Sequence, residues 1–212
     1  MQSNAQKSLD LQSVTSLFKG FFQFKKLQFK HSLYRGGETV LIERELFSRG
    51  QAVVVLLYDL QYQQVVLVEQ CRAGAVEHAL HNNDIDQAWL VEPVAGMIDS
   101  NESAEQAAIR EVREETGISI DEIEYICQFY PSPGACDETL LLYASQINSL
   151  DIATHAGMAD ESEDIKVVKL SFKEAKQKLL TGQFNVASTY MALQWLFFQK
   201  LTDCFQLKTV QE

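Results

Sequence analysis

The chain has 212 residues, a hydrophobic fraction of 46%, a charged fraction of 22% and a formal net charge of −11 at pH 7. Those proportions belong to an ordinary globular chain, long enough for one well-buried domain plus a modest appendage. The acidic balance argues against a nucleic-acid partner, since phosphate backbones need clustered Lys and Arg. No apolar run approaches the roughly 20 residues needed to span a bilayer.

The opening MQSNAQKSLDLQS lacks the basic and apolar regions of a secretory signal, so none is expected. Residues Gly20–His31 (GFFQFKKLQFKH) are basic and aromatic, unlike the acidic remainder, and read as a strand or extended arm. Glu38–Phe47 is a further strand candidate. Gln51–Asp59 is a nearly continuous apolar run, and Val65–Gln70 follows after a short polar turn, which predicts a hairpin. The polar stretch Gly74–Gln87 reads as a loop leading to Trp89–Pro93. A helix is predicted from about Ser103 to Thr116, then strands at Ile123–Tyr130, Thr139–Ser145 and Ile165–Leu170. Helices at about Phe172–Leu180 and Ala187–Lys200 close the chain. Interleaved strands and helices predict a mixed sheet covered by helices. Cys71, Cys127, Cys136 and Cys204 show neither C-x-x-C nor metal-finger spacing. Free thiols in a reducing compartment, the cytoplasm, are the expectation.

The informative stretch is Gly96–Ile118, GMIDSNESAEQAAIREVREETGI. Ser103 is placed to cap its helix, with Gln106 three residues on to complete a capping box. Gly117 stands where a left-handed residue would end it. Glu111, Glu114 and Glu115 fall within an arc of roughly 100° on that helix. Like charges at such spacings cost a few tenths of a kcal/mol per pair. Two readings remain open on periodicity: a solvated acidic face, or carboxylates converging on a hard cation such as Mg²⁺. Ile109 and Val112 supply an apolar stripe that anchors the helix, and Arg110 lies beside the acidic arc.

The spacing of Gly96, Glu102, Arg110-Glu111-Val112, Glu114-Glu115 and Gly117-Ile118 resembles the complete Nudix box. The resemblance implies an α/β/α sandwich with a mixed sheet, hydrolysing a nucleoside diphosphate linked to another moiety. It makes Glu111 and Glu115 the main metal ligands, with Glu114 assisting and the Ala95 carbonyl as a further ligand. Glu102 and Arg110 would brace the loop and helix by salt bridging.

Several flanking segments are similar to those of bacterial ADP-ribose pyrophosphatases. Upstream stand Glu69-Gln70-Cys71-Arg72 and Glu92-Pro93-Val94-Ala95-Gly96. Downstream come Ser132-Pro133-Gly134 with Asp137-Glu138, and then the acidic run Gly157–Asp164. Asn185–Ser188 and Ala192–Leu196 extend the likeness to the last helix, so that it covers about Lys19 to Phe198. It implies that Glu161 positions or deprotonates the attacking water, with Glu163 the next candidate. The same acids also fit a merely solvated loop.

Arg72 would contact the diphosphate or terminal ribose and Glu138 a ribose hydroxyl; a surface ion pair and a strand-end residue are the plain alternatives. An N-terminal β-strand arm would exchange between the subunits of a homodimer, with Phe21 and Arg44 reaching the partner's adenine. Simple dimer packing explains those two residues as well. The implied division is an arm at residues 1–50, a hydrolase domain at 51–204 and a tail at 205–212. Two departures stand out: Ala135 replaces the second glycine of S-P-G-G, and Val76–Gln87 is longer and more acidic than the usual connection.

The reaction implied is Mg²⁺-dependent hydrolysis of ADP-ribose to AMP and ribose 5-phosphate, with Mn²⁺ an alternative ion. The metals would reverse the local potential of an acidic site. The rivals are another nucleotide sugar, such as GDP-mannose or ADP-glucose, and a non-catalytic ADP-ribose sensor. A sensor commonly lacks a ligand carboxylate and carries a basic segment for DNA; all the carboxylates are present here. His31, His78, His81 and His155 have no ligand spacing.

Overall fold

The run Gln51–Asp59 is apolar at nearly every position because both of its faces are covered. In a computed structural model, which describes residues 6–157 and 163–202, it forms strand β4, and alternate side chains enter two separate cores. Val54, Leu56 and Tyr58 pack with Ala175, Leu179, Ala192, Leu193 and Trp195. Val53, Val55 and Leu57 pack with Ala107, Ala108 and Val112. Those partners lie on helices α3 (Phe172–Leu180) and α4 (Ala187–Trp195) on one side and on α2 (Ala104–Thr116) on the other. The architecture is therefore the expected α/β/α sandwich, and each face buries side chains that favour folding by about 1.5–3 kcal/mol apiece.

The chain divides into two compact units, 52–129 with 140–212, and 1–51 with 130–139. The first has strand order β10-β11-β5-β4-β9-β8. Here β5 is Gln64–Cys71, β8 Glu124–Phe129, β9 Thr139–Gln146, β10 His155–Ala156 and β11 Ile165–Ser171. Strands β4 and β5 form the predicted hairpin, paired from Leu57↔Val66 to Asp59↔Gln64. Asp59 closes its turn by accepting from the backbone N–H of Gln61 (2.8 Å) and Tyr62 (3.0 Å).

Beyond Leu57 the two strands part company. Strand β7 (Val94–Met97) takes up pairing with β4, and β6 (Trp89–Glu92) with β5. That divergence places the ends of β5 and β7 beside the helix that carries the acids.

In the second unit, β1 (Leu9–Lys19), β2 (Gln23–His31) and β3 (Ile42–Ser48) form an antiparallel sheet. The expected extended arm thus begins as a strand only at Gln23, since Gly20–Phe22 makes the β1–β2 turn, closed by Gly20 N–H to Phe22 O at 2.9 Å. Strand β1 itself is not anticipated from sequence: its apolar residues Leu9, Leu11, Val14 and Leu17 alternate imperfectly, and bulges interrupt its pairing.

One expectation is corrected. Gly74–Gln87 is not a loop: helix α1 covers Ala73–His81, and a 3-10 turn covers Ile85–Ala88. The helix escapes notice because Arg72 provides no side-chain cap and Gly74 lies in its first turn. It is anchored by buried Ala79 and ends where Asn83 adopts a φ of 52°. The last helix is also refined, since its stretch Leu196–Lys200 is π-helical.

Candidate active site

Helix α2 is built as its sequence requires. Ser103 Oγ accepts the Gln106 N–H at 3.2 Å while Gln106 Oε1 accepts the Ser103 N–H at 2.8 Å, and Gly117 ends the helix with φ of 76°. Ala107, Ala108 and Val112 bury one face. The neighbouring face carries Arg110, Glu111, Glu114 and Glu115, so the acids sit at the margin of the core.

Arg110 organises two of these acids, Glu111 and Glu114, together with Glu102. Its Nε and Nη2 engage both oxygens of Glu102, at 3.1 and 2.6 Å, and Nη2 also donates to Met97 O at 3.0 Å. Its Nη1 contacts Glu111 Oε1 at 2.7 Å and Glu114 Oε2 at 3.0 Å. Bidentate geometry of this kind suits a guanidinium and no other side chain. Arg110 holds the Glu102 carboxyl below the ordinary carboxylate range. The brace between loop and helix is thus present.

Glu115 differs from its neighbours. It is 2% exposed and forms no direct ion pair among the described residues. Its Oε2 accepts the Ala95 N–H at 3.2 Å, and its Oε1 faces Gln70 Nε2 at 3.5 Å. Burial pushes its carboxyl up to about 8; the Ala95 N–H and the charge of Arg72 oppose this, and Glu111 and Glu163 add repulsion. Burial likewise holds Glu111 above the usual range, with Arg110 pulling the other way and Glu114 and Glu163 raising it. A buried carboxylate that resists ionisation, with two further acids acting on it, is a donor set matched to a hard divalent cation. Among the described residues no three acids already close on a single point, because Arg110 draws Glu111 and Glu114 to itself. The residues fit a cation by chemistry and proximity, and binding one would require those two carboxylates to share or leave Arg110.

Arg72 follows Gln70 on the same face at the end of β5. Its Nε pairs with Glu92 Oε2 at 2.6 Å, which leaves the terminal nitrogens for another acceptor. Gly157 N–H donates to Glu114 O at 3.3 Å, tying the acidic run to the end of α2. A Cβ on Gly157 would stand 2.8 Å from Glu163 O, so Gly157 lies against the Glu163 backbone. Glu161 lies outside the described residues, as does Cys204. Ala95, Arg72, Glu111, Glu114, Glu115 and Glu163 are therefore gathered in one unit.

Phe21, Arg44 and Glu138 belong to the other unit. Phe21 is at the tip of the β1–β2 turn, 88% exposed, and Arg44 is exposed on β3. Glu138 is paired with Arg49, Nε to Oε1 at 2.9 Å, although the N–H is not aimed well enough to make a hydrogen bond. Arg49 also lies over the Phe22 ring at 5.0 Å. Burial raises the Glu138 carboxyl, Arg49 opposes this, and Asp137 adds repulsion. Ala135, the departure from S-P-G-G, does not have a positive φ, and its carbonyl accepts the Phe47 N–H at 2.8 Å, so alanine suits this loop. The sequence assigns no role to Gln70, Glu92 or Arg49, although the first two stand in the flanking segments. For Gln70 a signal existed, the two-residue spacing from Arg72 on a strand.

The NUDIX domain model matches residues 48–190. An ADP-ribose pyrophosphatase of Haemophilus influenzae is 35% identical over 196 residues, covering 92% of this chain and 89% of that protein. One from Escherichia coli K12 is 35% identical over 181 residues, covering 85% and 84%. A GDP-mannose pyrophosphatase from an Escherichia coli O1:K1 strain is 31% identical over 169 residues, covering 80% and 85%. A solved structure described as an ADP compounds hydrolase aligns with a TM-score of 0.66 at 19% identity, covering 93% of this chain and 98% of that one, and supports the fold.

Proposed function

Because this chain belongs to the Nudix family and is similar over most of its length to ADP-ribose pyrophosphatases of that family, we propose that it hydrolyses the diphosphate of ADP-ribose to AMP and ribose 5-phosphate. One observation carries the reading. The likeness to the Haemophilus influenzae pyrophosphatase extends over 92% of the chain, so it reaches well beyond the acidic helix and supports a shared substrate. The 31% identity to GDP-mannose pyrophosphatase supports a second reading, cleavage of another nucleotide sugar, on a shorter match.

The cation is Mg²⁺, with Mn²⁺ a substitute, held by Glu111, Glu114, Glu115 and the Ala95 carbonyl. When bound, it supplies charge neutralisation on the phosphate oxygens and activation of water. The chain's own residues do the positioning. Ala95 N–H and Gln70 hold the Glu115 carboxylate in place. Glu92 fixes Nε of Arg72, so the rest of that guanidinium meets a phosphate oxygen. Glu161, or Glu163 beside it, accepts the proton of the attacking water as the new phosphorus–oxygen bond forms and the bridging one breaks. Glu138 takes a ribose hydroxyl.

Phe21 and Arg44 meet adenine in a homodimer with exchanged N-terminal strands. Its support is the exposure of Leu9, Leu11, Val14 and Phe18 on β1, apolar surface that a partner strand would cover. No described helix is long and apolar enough to cross a membrane, and we place the enzyme in the cytoplasm.

The test is hydrolysis of ADP-ribose with and without Mg²⁺, beside GDP-mannose, ADP-glucose and NADH, with Glu115→Gln as control. AMP release that needs metal, is fastest from ADP-ribose and falls by orders of magnitude in the variant is the expected result. Preference for GDP-mannose would move the chain to the second reading, and an active, metal-dependent Glu115→Gln enzyme would remove Glu115 from the ligands.

A further inference from the structure

We propose that Gln70 is a positioning residue for Glu115, holding that carboxylate in its metal-binding orientation through a neutral donor; the inference rests on the metal-dependent hydrolase reading above. Gln70 is buried on β5, and its Nε2 faces Glu115 Oε1 at 3.5 Å from across the gap between strand and helix. The Ala95 N–H reaches the other oxygen at 3.2 Å. Two donors on two different oxygens fix both the position and the plane of the carboxylate, which one donor alone does not.

The chemical type of the donor matters as much as its place. Glu102, Glu111 and Glu114 are all contacted by Arg110, whose charge partly neutralises them. At Glu115 both contacts come from uncharged N–H groups. A neutral amide orients a carboxylate without competing with a cation for its charge, so Glu115 keeps more of its attraction for the metal than the acids that Arg110 contacts. Arg or Lys at position 70 would satisfy the carboxylate and weaken that attraction. The contact at 3.5 Å is at the long end for a hydrogen bond. A shortening of the side chain by one methylene therefore breaks it. Partners that orient metal ligands in this way are commonly worth 10- to 100-fold in metal affinity.

The experiment is Mn²⁺ binding to the full chain without nucleotide, followed by electron paramagnetic resonance, for wild type and the variants Gln70→Met, Gln70→Leu and Gln70→Asn. Met and Leu fill the site without donating; Asn keeps an amide that falls short, and is the variant read if the apolar pair does not fold. The expected result is Mn²⁺ affinity weakened about 10-fold or more in a variant whose circular dichroism matches wild type. The Mg²⁺ concentration for half-maximal rate should rise in step, while KM for ADP-ribose at saturating metal stays within about twofold. A folded variant that binds Mn²⁺ as tightly as wild type overturns the role of Gln70 and leaves the hydrolase reading intact. A rise in KM for ADP-ribose with metal affinity unchanged also overturns it, by making Gln70 a substrate residue. Failure of the wild-type chain itself to bind Mn²⁺ overturns the hydrolase reading.

Discussion

The carboxylate of Glu111 occupies the place where a side chain on Gly96 would begin: a Cβ there would stand 1.8 Å from Glu111 Oε1 and 2.4 Å from Oε2. Gly96 has no positive φ, so its backbone makes no demand for glycine. The demand is for space, and the group that uses the space is a proposed metal ligand.

Gly96→Ala is accordingly expected to push the Glu111 carboxylate aside while leaving the fold in place, since the displaced atoms are the end of a flexible side chain. Mn²⁺ affinity should fall about 10-fold or more, with thermal stability within a few degrees of wild type. Paired metal titration and melting curves check this, and unchanged affinity would show that Glu111 binds no metal from this position.

Arg110→Lys is the sharper test of the brace. Lysine brings one point charge where Arg110 grips Glu102 with two nitrogens and reaches Glu111, Glu114 and Met97 O besides. The side chain is 31% exposed, so solvent screening reduces the loss. A destabilisation on the order of 1–2 kcal/mol is expected by urea titration. Addition of Mg²⁺ should recover part of it by neutralising the acids left behind.

Glu115 makes a prediction about pH. Its folded-state carboxyl is raised to about 8 from an ordinary value of 4.5. Between those values the folded chain holds a proton that the unfolded chain has released, so stability falls as pH rises through that window. In a chelator the melting temperature should drop from pH 5 to pH 8, by a free energy on the order of a few kcal/mol. Glu115→Gln should flatten this contribution, and added Mg²⁺ should offset it most at the alkaline end. A chelated wild type equally stable at both ends would show that Glu115 is ionised throughout.

Local rules were enough wherever a signal lies within a few residues. The capping box of Ser103 and Gln106 and the left-handed Gly117 are satisfied inside one helix, so α2 was legible to within a residue. The hairpin of β4 and β5 was legible because a polar turn separates two apolar runs. Where no such signal exists, reading failed: α1 has no side-chain cap, and β1 pairs through bulges.

For the site, the sequence by itself determined which residues carry charge and which of them share a helical face. Periodicity alone puts Glu111, Glu114 and Glu115 side by side, whatever the rest of the chain does. It does not distinguish them. The i,i+4 spacing also lets Arg110 reach Glu114 within the helix; tertiary structure decided that Glu115 is the one of the three buried against Ala95 and Gln70, 20 and 45 positions away. It also decided that Arg72 meets Glu92, and that Gly96 makes room for Glu111. The reason is dielectric and steric: a carboxylate's charge state and orientation depend on how much water it loses and which donors replace it. Those are set by strands that diverge far along the chain from the helix they flank.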